Sequence, residues 1–232
     1  MNIAPLLFAA LQELNNKMKH CLDQTQLNQV SETINYYALA SAAASVGVAM
    51  LPAGGALAAA AAQTGFVWAT YVKINKALRI SMSEEIVKFL GTAMVTNLIT
   101  SYGVVMVGHI LAGVVSCIPL IGGIAAGAAE AVFGYVLIYA CSILYLKLIT
   151  KLVKPDGSIA FTSKPNTETT IKELMKDTSV RDIFKEAKTQ FSSARENGSF
   201  EKVRKSRFCP KCGTEYTAGD HFCSSCGHDL TK

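Results

Sequence analysis

From Thr33 to Val72, and again from Phe89 to Ala129, the chain of 232 residues has no aspartate, glutamate, lysine or arginine. Charged residues make up only 17% of the sequence and lie mostly outside these runs, so the hydrophobic half of the composition is concentrated in the middle. With a mean hydropathy of +0.30, this excludes a middle solvated on all sides and leaves a membrane or buried-bundle core with polar ends. Motifs of the common chemistries are also missing: there is no Gly-x4-Gly-Lys-Ser/Thr phosphate loop, no His-Glu-x-x-His, no Gly-x-Ser-x-Gly, no Gly-x-Gly-x-x-Gly and no clear carboxylate pair. No enzyme activity is therefore expected. The N-terminus lacks the basic start and long apolar run of a secretion signal, since Pro5 to Leu11 is followed at once by Gln12 and Glu13; secretion is not expected. A disulfide framework is absent too. Of seven cysteines, Cys21, Cys117 and Cys141 are scattered and four are paired near the C-terminus, a pattern that requires a reducing compartment. The net charge of +5 is too modest to indicate nucleic acid or lipid by itself.

What is present divides the chain into four parts. Residues 1–32 carry Leu7, Leu11, Leu14, Met18 and Leu22 at helical spacing and are predicted to form one amphipathic helix that packs on the bundle. Residues 33–154 form the hydrophobic domain. Ser31 is a candidate cap for its first helix, which Leu51-Pro52-Ala53-Gly54-Gly55 stops: proline removes a donor, and glycine supplies the backbone freedom of a tight reversal. A second helix is predicted from Ala56 to about Arg79. A third runs from Glu84 to Cys117 behind Ser81 or Ser83, with Glu84 and Glu85 suiting the dipole of its first turn. Ile118-Pro119-Leu120-Ile121-Gly122-Gly123 then repeats the earlier turn.

Gly54 to Ala61 aligns without gaps on Gly122 to Ala129, and Tyr71 on Tyr139, which reads as a weak internal duplication of a hairpin unit. Gly123, Gly127 and Ala131 lie four apart, a glycine-zipper spacing that allows close helix approach in lipid and equally suits an alanine-rich soluble bundle. In an up-and-down arrangement Lys73, Lys76, Arg79, Lys88, Lys147, Lys151 and Lys154 share the end opposite both uncharged turns. The positive-inside tendency then puts both termini in the cytosol, as the free thiols also require. The expectation is an all-α fold of four main apolar helices embedded in the inner membrane, with the lipid bilayer as a partner and homo-oligomers compatible with the zipper. His109 and Glu130, ionisable groups inside the apolar helices, are candidates for an intramembrane polar site.

Residues 155–207 turn polar after Lys154-Pro155-Asp156-Gly157 and read as a linker with short helices. Thr170 with Glu173, and Ser179 with Asp182, have capping-box spacing ahead of small apolar stripes. Residues 208–232 hold the strongest chemical signal. Cys209-Pro-Lys-Cys212-Gly and Cys223-Ser-Ser-Cys226-Gly are separated by ten residues, the arrangement in which four thiolates close a tetrahedron round Zn²⁺. With four protein ligands no position is left for water or substrate, so the site is expected to be structural; an iron–sulfur centre is the less favoured alternative. His221 and His228 are spare donors beside it. Lys211 and Lys232 are offset by Glu215, Asp220 and Asp229, so the module has no basic face and nucleic acid is not an expected partner.

The segment Phe208 to Leu230 closely resembles the short zinc-ribbon domains at the ends of many bacterial and archaeal proteins. The resemblance implies that Cys209, Cys212, Cys223 and Cys226 are the ligands and that Phe222 and Leu230 form a small core. Leu51-Pro52 to Gln63 and Ile118-Pro119 to Gly123 more loosely resemble the GTPase-associated helical domain of unknown function, which occurs in bacterial inner-membrane proteins; without a phosphate loop, nucleotide hydrolysis does not carry over. The expected function is a non-enzymatic membrane scaffold or adaptor whose cytosolic zinc ribbon contacts a protein partner. The alternatives are a pore or transport assembly using His109 or Glu130, and a soluble bundle with a nucleic-acid-binding ribbon.

Overall fold

The computed structural model describes residues 3–48, 55–117, 124–154, 158–161, 163–204, 207–209, 214–216, 220–224 and 226–230, with the backbone alone described for 46–48, 55–62, 104–117, 124–128, 204 and 207–208. The chain is mostly helical. Helix α1 (Pro5–Lys17) starts with proline at its first position, where the missing N–H costs nothing, and buries Leu7, Leu11 and Leu14 along one face.

The predicted single helix over residues 1–32 is instead two. Lys19 and His20 take left-handed backbone conformations, φ 54° and 60°. The N–H of Lys19 donates to the Asn16 carbonyl and that of His20 to the Asn15 carbonyl, a Schellman closure made without glycine. Helix α2 (Gln24–Val48) then begins behind a reciprocal cap: the Gln26 N–H donates to Asp23 Oδ1 at 2.8 Å and the Asp23 N–H to Gln26 Oε1 at 3.1 Å. Ser31 therefore lies inside α2 rather than capping it, buried, with its Oγ unpartnered among the described residues.

Helices α3 (Gly55–Ala77), α4 (Glu84–Cys117) and α5 (Ile124–Leu152) complete a bundle with α2. Ser83 caps α4 through the Ile86 N–H, and α3 ends in a second Schellman closure at Arg79, φ 56°, with the Ile80 N–H on the Asn75 carbonyl. Gln26 Nε2 reaches the carbonyl of Ala77 and Trp68 Nε1 that of Lys88. The first bond joins the start of α2 to the end of α3, so these two helices run in opposite directions, and the second ties the middle of α3 to the start of α4. The expected turn residues Pro52, Gly54, Pro119, Gly122 and Gly123 lie outside the described residues, and Gly55 is the first residue of α3.

Helix α5 is the axis of the fold. It packs against α1, α2, α3, α4, α6 and α7, and from Tyr135 to Ile149 nearly every side chain is buried. Four membrane helices are not shown: among the described residues one helix, Ala129–Leu152 with mean hydropathy 2.0, is long and apolar enough to cross a bilayer, and 83% of its most apolar 18-residue stretch is buried inside the protein. The reason is combinatorial. A helix surrounded on all sides must be apolar all round whether its neighbours are lipid or protein. Close contact with α2 depends on Gly134, where a Cβ would stand 2.6 Å from Ser45 Oγ and 3.0 Å from the Ser41 carbonyl. At that contact Gln63 of α3 accepts from Ser41 Oγ and donates to Ser45 Oγ at 2.7 Å.

The 155–207 segment, read from its polarity as a linker, supplies much of the cover. Helices α6 (Lys164–Asp177), α7 (Val180–Glu196) and α8 (Ser199–Arg204) bury Ile171, Leu174, Ile183, Phe184, Phe191 and Phe200. Their mean polarity is high because each helix buries only one stripe. Helix α6 is capped by Ser163, whose side chain accepts from the Asn166 N–H. Thr170 is consequently mid-helix and bonds back to the Asn166 carbonyl, which corrects the first of the two predicted capping boxes. At the second, Ser179 precedes α7 as expected, but its hydroxyl donates to the Asp182 carboxylate instead of accepting from the backbone.

Glu186 of α7 ties three elements together. Its Oε2 accepts from the Leu6 N–H at 2.8 Å, and its Oε1 from the Leu7 N–H at 3.3 Å and the Tyr139 hydroxyl at 2.9 Å. The N-terminal amides of α1, which has no side-chain cap of its own, thus receive a carboxylate from a helix about 180 residues away.

Candidate metal centre

The C-terminal module is built on two short turns of the same design. In the first, the Cys209 N–H donates to the Thr214 carbonyl; in the second, the Cys223 N–H donates to the His228 carbonyl, both at 2.8 Å. Each bond spans five residues and encloses one Cys-x-x-Cys-Gly sequence. Gly227 takes φ +67°, a conformation that residues with a Cβ rarely adopt, which explains glycine after the second cysteine. Strands β1 (Arg207–Phe208) and β2 (Glu215–Tyr216) pair antiparallel across the first turn, and Phe222 bridges Asp229 across the second.

The turns bring the sulfurs of Cys209, Cys223 and Cys226 within 4.8 Å of one another. Cys209 Sγ and Cys226 Sγ are 3.6 Å apart, far beyond the roughly 2.05 Å of a disulfide and close to the spacing of about 3.8 Å between thiolates that share a tetrahedral zinc at about 2.3 Å. Cys209 and Cys223 are 1% and 3% exposed. Thiolates this close and this dry repel one another without a cation between them, so the donor set fits a soft divalent metal. Cys212 lies outside the described residues, and Cys21 and Cys141 stand apart from the cluster.

The module rests on the bundle: the Tyr36 hydroxyl of α2 donates to Glu215 Oε2 at 2.6 Å. Phe222 is 65% exposed, which corrects the expectation that it forms the module's core; in so small a unit the metal replaces the core. Leu230 is half-buried and its N–H donates to the His221 carbonyl. His221 is exposed, and neither it nor His228 joins the cysteine cluster.

The other candidates are placed less decisively. Glu130 is partly exposed near the start of α5, and His109 lies on α4, where the backbone alone is described. Glu186, Gly134 and Gln63 escaped the sequence reading because their roles depend on partners distant in the chain. Residues 208–230 match the family model of the zinc-ribbon domain. No curated protein and no solved structure matches the chain.

Proposed function

We propose that this protein is a non-enzymatic, membrane-associated helical scaffold that presents a structural zinc ribbon to a protein partner. The cluster of three cysteine sulfurs, Cys209 and Cys223 buried and Cys226 partly so, carries the reading. With Cys212 as fourth ligand, zinc has no open position for substrate, and its contribution is the shape of the module. Membrane contact belongs to the end of the bundle where α2 and α4 finish and α3 and α5 begin, because the sequence there, 46–62 and 104–128, is free of Asp, Glu, Lys and Arg. The basic residues at the other end, with the thiols, support cytosolic termini.

Washing membranes with alkaline carbonate tests this. The full chain is expected in the pellet, and replacement of Leu120 and Ile121 by aspartate is expected to release it; wild-type protein in the supernatant refutes membrane insertion. The burial of 83% of the most apolar stretch of the Ala129–Leu152 helix supports a second reading, a soluble bundle carrying the same ribbon. That reading predicts a monodisperse particle without detergent.

A further inference from the structure

Between α3, the start of α4 and the ribbon lies an open cleft of about 740 Å³, within the range of roughly 300–1,000 Å³ typical of ligand sites. Apolar Trp68, Val72 and Met82 line it, as do Glu84 and, from the ribbon, Thr214 and the metal-cluster residue Cys226. Val72 is 49% exposed.

Two features give the cleft a chemical preference. Lys73 and Lys76 line it from successive turns of α3; both are exposed, and neither has an ion pair among the described residues. The lysine across from them, Lys88, already pairs with Glu84. Asn75 is 5% exposed and also lines the cleft. Its Oδ1 accepts from the Tyr145 hydroxyl at 2.8 Å, while its Nδ2 has no partner among the described residues. A buried donor left without an acceptor costs about 1–3 kcal/mol.

We propose that this cleft docks an acidic peptide segment of a partner protein, apolar side chains on Trp68 and Val72 and carboxylates on Lys73 and Lys76. The proposal deepens the scaffold reading by assigning the partner's chemistry, and it rests on that reading. Because Cys226 belongs to both the cleft wall and the metal cluster, zinc retention and peptide docking are coupled: a ribbon without its metal loses the wall.

Trp68 is the chain's single tryptophan, so its fluorescence reports occupancy directly. Full-length protein titrated with a synthetic peptide of alternating glutamate and leucine should give a saturable change, weakened by salt, whereas the same peptide with glutamine for glutamate should not. Lys73→Glu with Lys76→Glu should weaken binding about tenfold. Cys223→Ser with Cys226→Ser should abolish it while the helical circular dichroism persists. Equal responses to both peptides, indifference to the lysine reversals, or a lysine-dependent response to phosphatidylglycerol vesicles alone would overturn the proposal. Carbonate washing separates the two readings: a lysine variant that loses peptide binding while staying in the pellet supports both, and wild-type chain released into the supernatant with its peptide binding intact removes only the membrane role.

Discussion

Replacing Glu186 by alanine removes one acceptor from three donors: the Leu6 and Leu7 amides and the Tyr139 hydroxyl. A hydrogen bond to a charged group contributes about 1.5–3 kcal/mol, and a buried donor left unmade costs a similar amount. The α1 amides also lose the negative charge facing their dipole, worth about 0.3–1 kcal/mol. Water can reach the half-buried α1 amides more readily than the phenol, so the contributions do not simply add, and a net loss of about 3 kcal/mol is expected. Glutamine keeps one carbonyl acceptor and should lose about half as much. For a chain of this size 3 kcal/mol corresponds to a melting temperature lower by roughly 6–12 °C. Urea unfolding followed by circular dichroism measures the loss, and hydrogen exchange at Leu6 and Leu7 locates it. Glu196→Ala, an exposed position on the same helix, is the control and should stay within about 0.5 kcal/mol. A Glu186→Ala protein as stable as that control would refute the assignment of α1 docking to this carboxylate.

Gly134→Ala should destabilise by about 1–3 kcal/mol, because the new methyl meets the fixed Ser41 carbonyl as well as Ser45 Oγ; adding Ser45→Ala should recover part of the loss, and strict additivity in that double-mutant cycle would contradict the contact. Purified protein should hold one zinc per chain by atomic absorption, and Cys209→Ser with Cys212→Ser should remove it without altering the helical signal; retained stoichiometric metal would overturn the ligand set. The Ser179 hydroxyl, with Lys185 beside it, holds the Asp182 carboxyl below the usual range. Its stabilising contribution is therefore present above the ordinary carboxylate value near pH 4 and fades as pH falls through the lowered one. Asp182→Asn should accordingly differ from wild type in thermal stability at neutral pH and converge with it in acid; a difference that persists unchanged in acid would show that the carboxylate's ionisation is not its source.

The parts that could be read from the chain are those whose cause is local. Helix α4 begins and ends where Ser83, Glu84 and the Ile118-Pro119 sequence put its limits, and the paired cysteines identify their own module because a metal needs its ligands at fixed short spacing. The break after α1 was illegible for a specific reason: Lys19 and His20 take the left-handed conformations in which glycine is the usual signal. The short helices of residues 155–207 were legible from their apolar stripes at Leu174-Met175 and Ile183-Phe184, but that they cover α5 was not, because a stripe does not name the surface it packs on.

The amino-acid order alone determined helix type, the uncharged middle and the sulfur donors, since periodicity, composition and ligand spacing are properties of neighbours along a chain. Tertiary structure decided what surrounds the most apolar helix, which residues cap α1, how closely α2 approaches Gly134 and where the ribbon rests. Each of these depends on groups brought together from distant positions: hydrophobicity makes a segment leave water without naming its neighbour, and a carboxylate or an amide carries no mark of its eventual partner until packing puts the two within bonding distance.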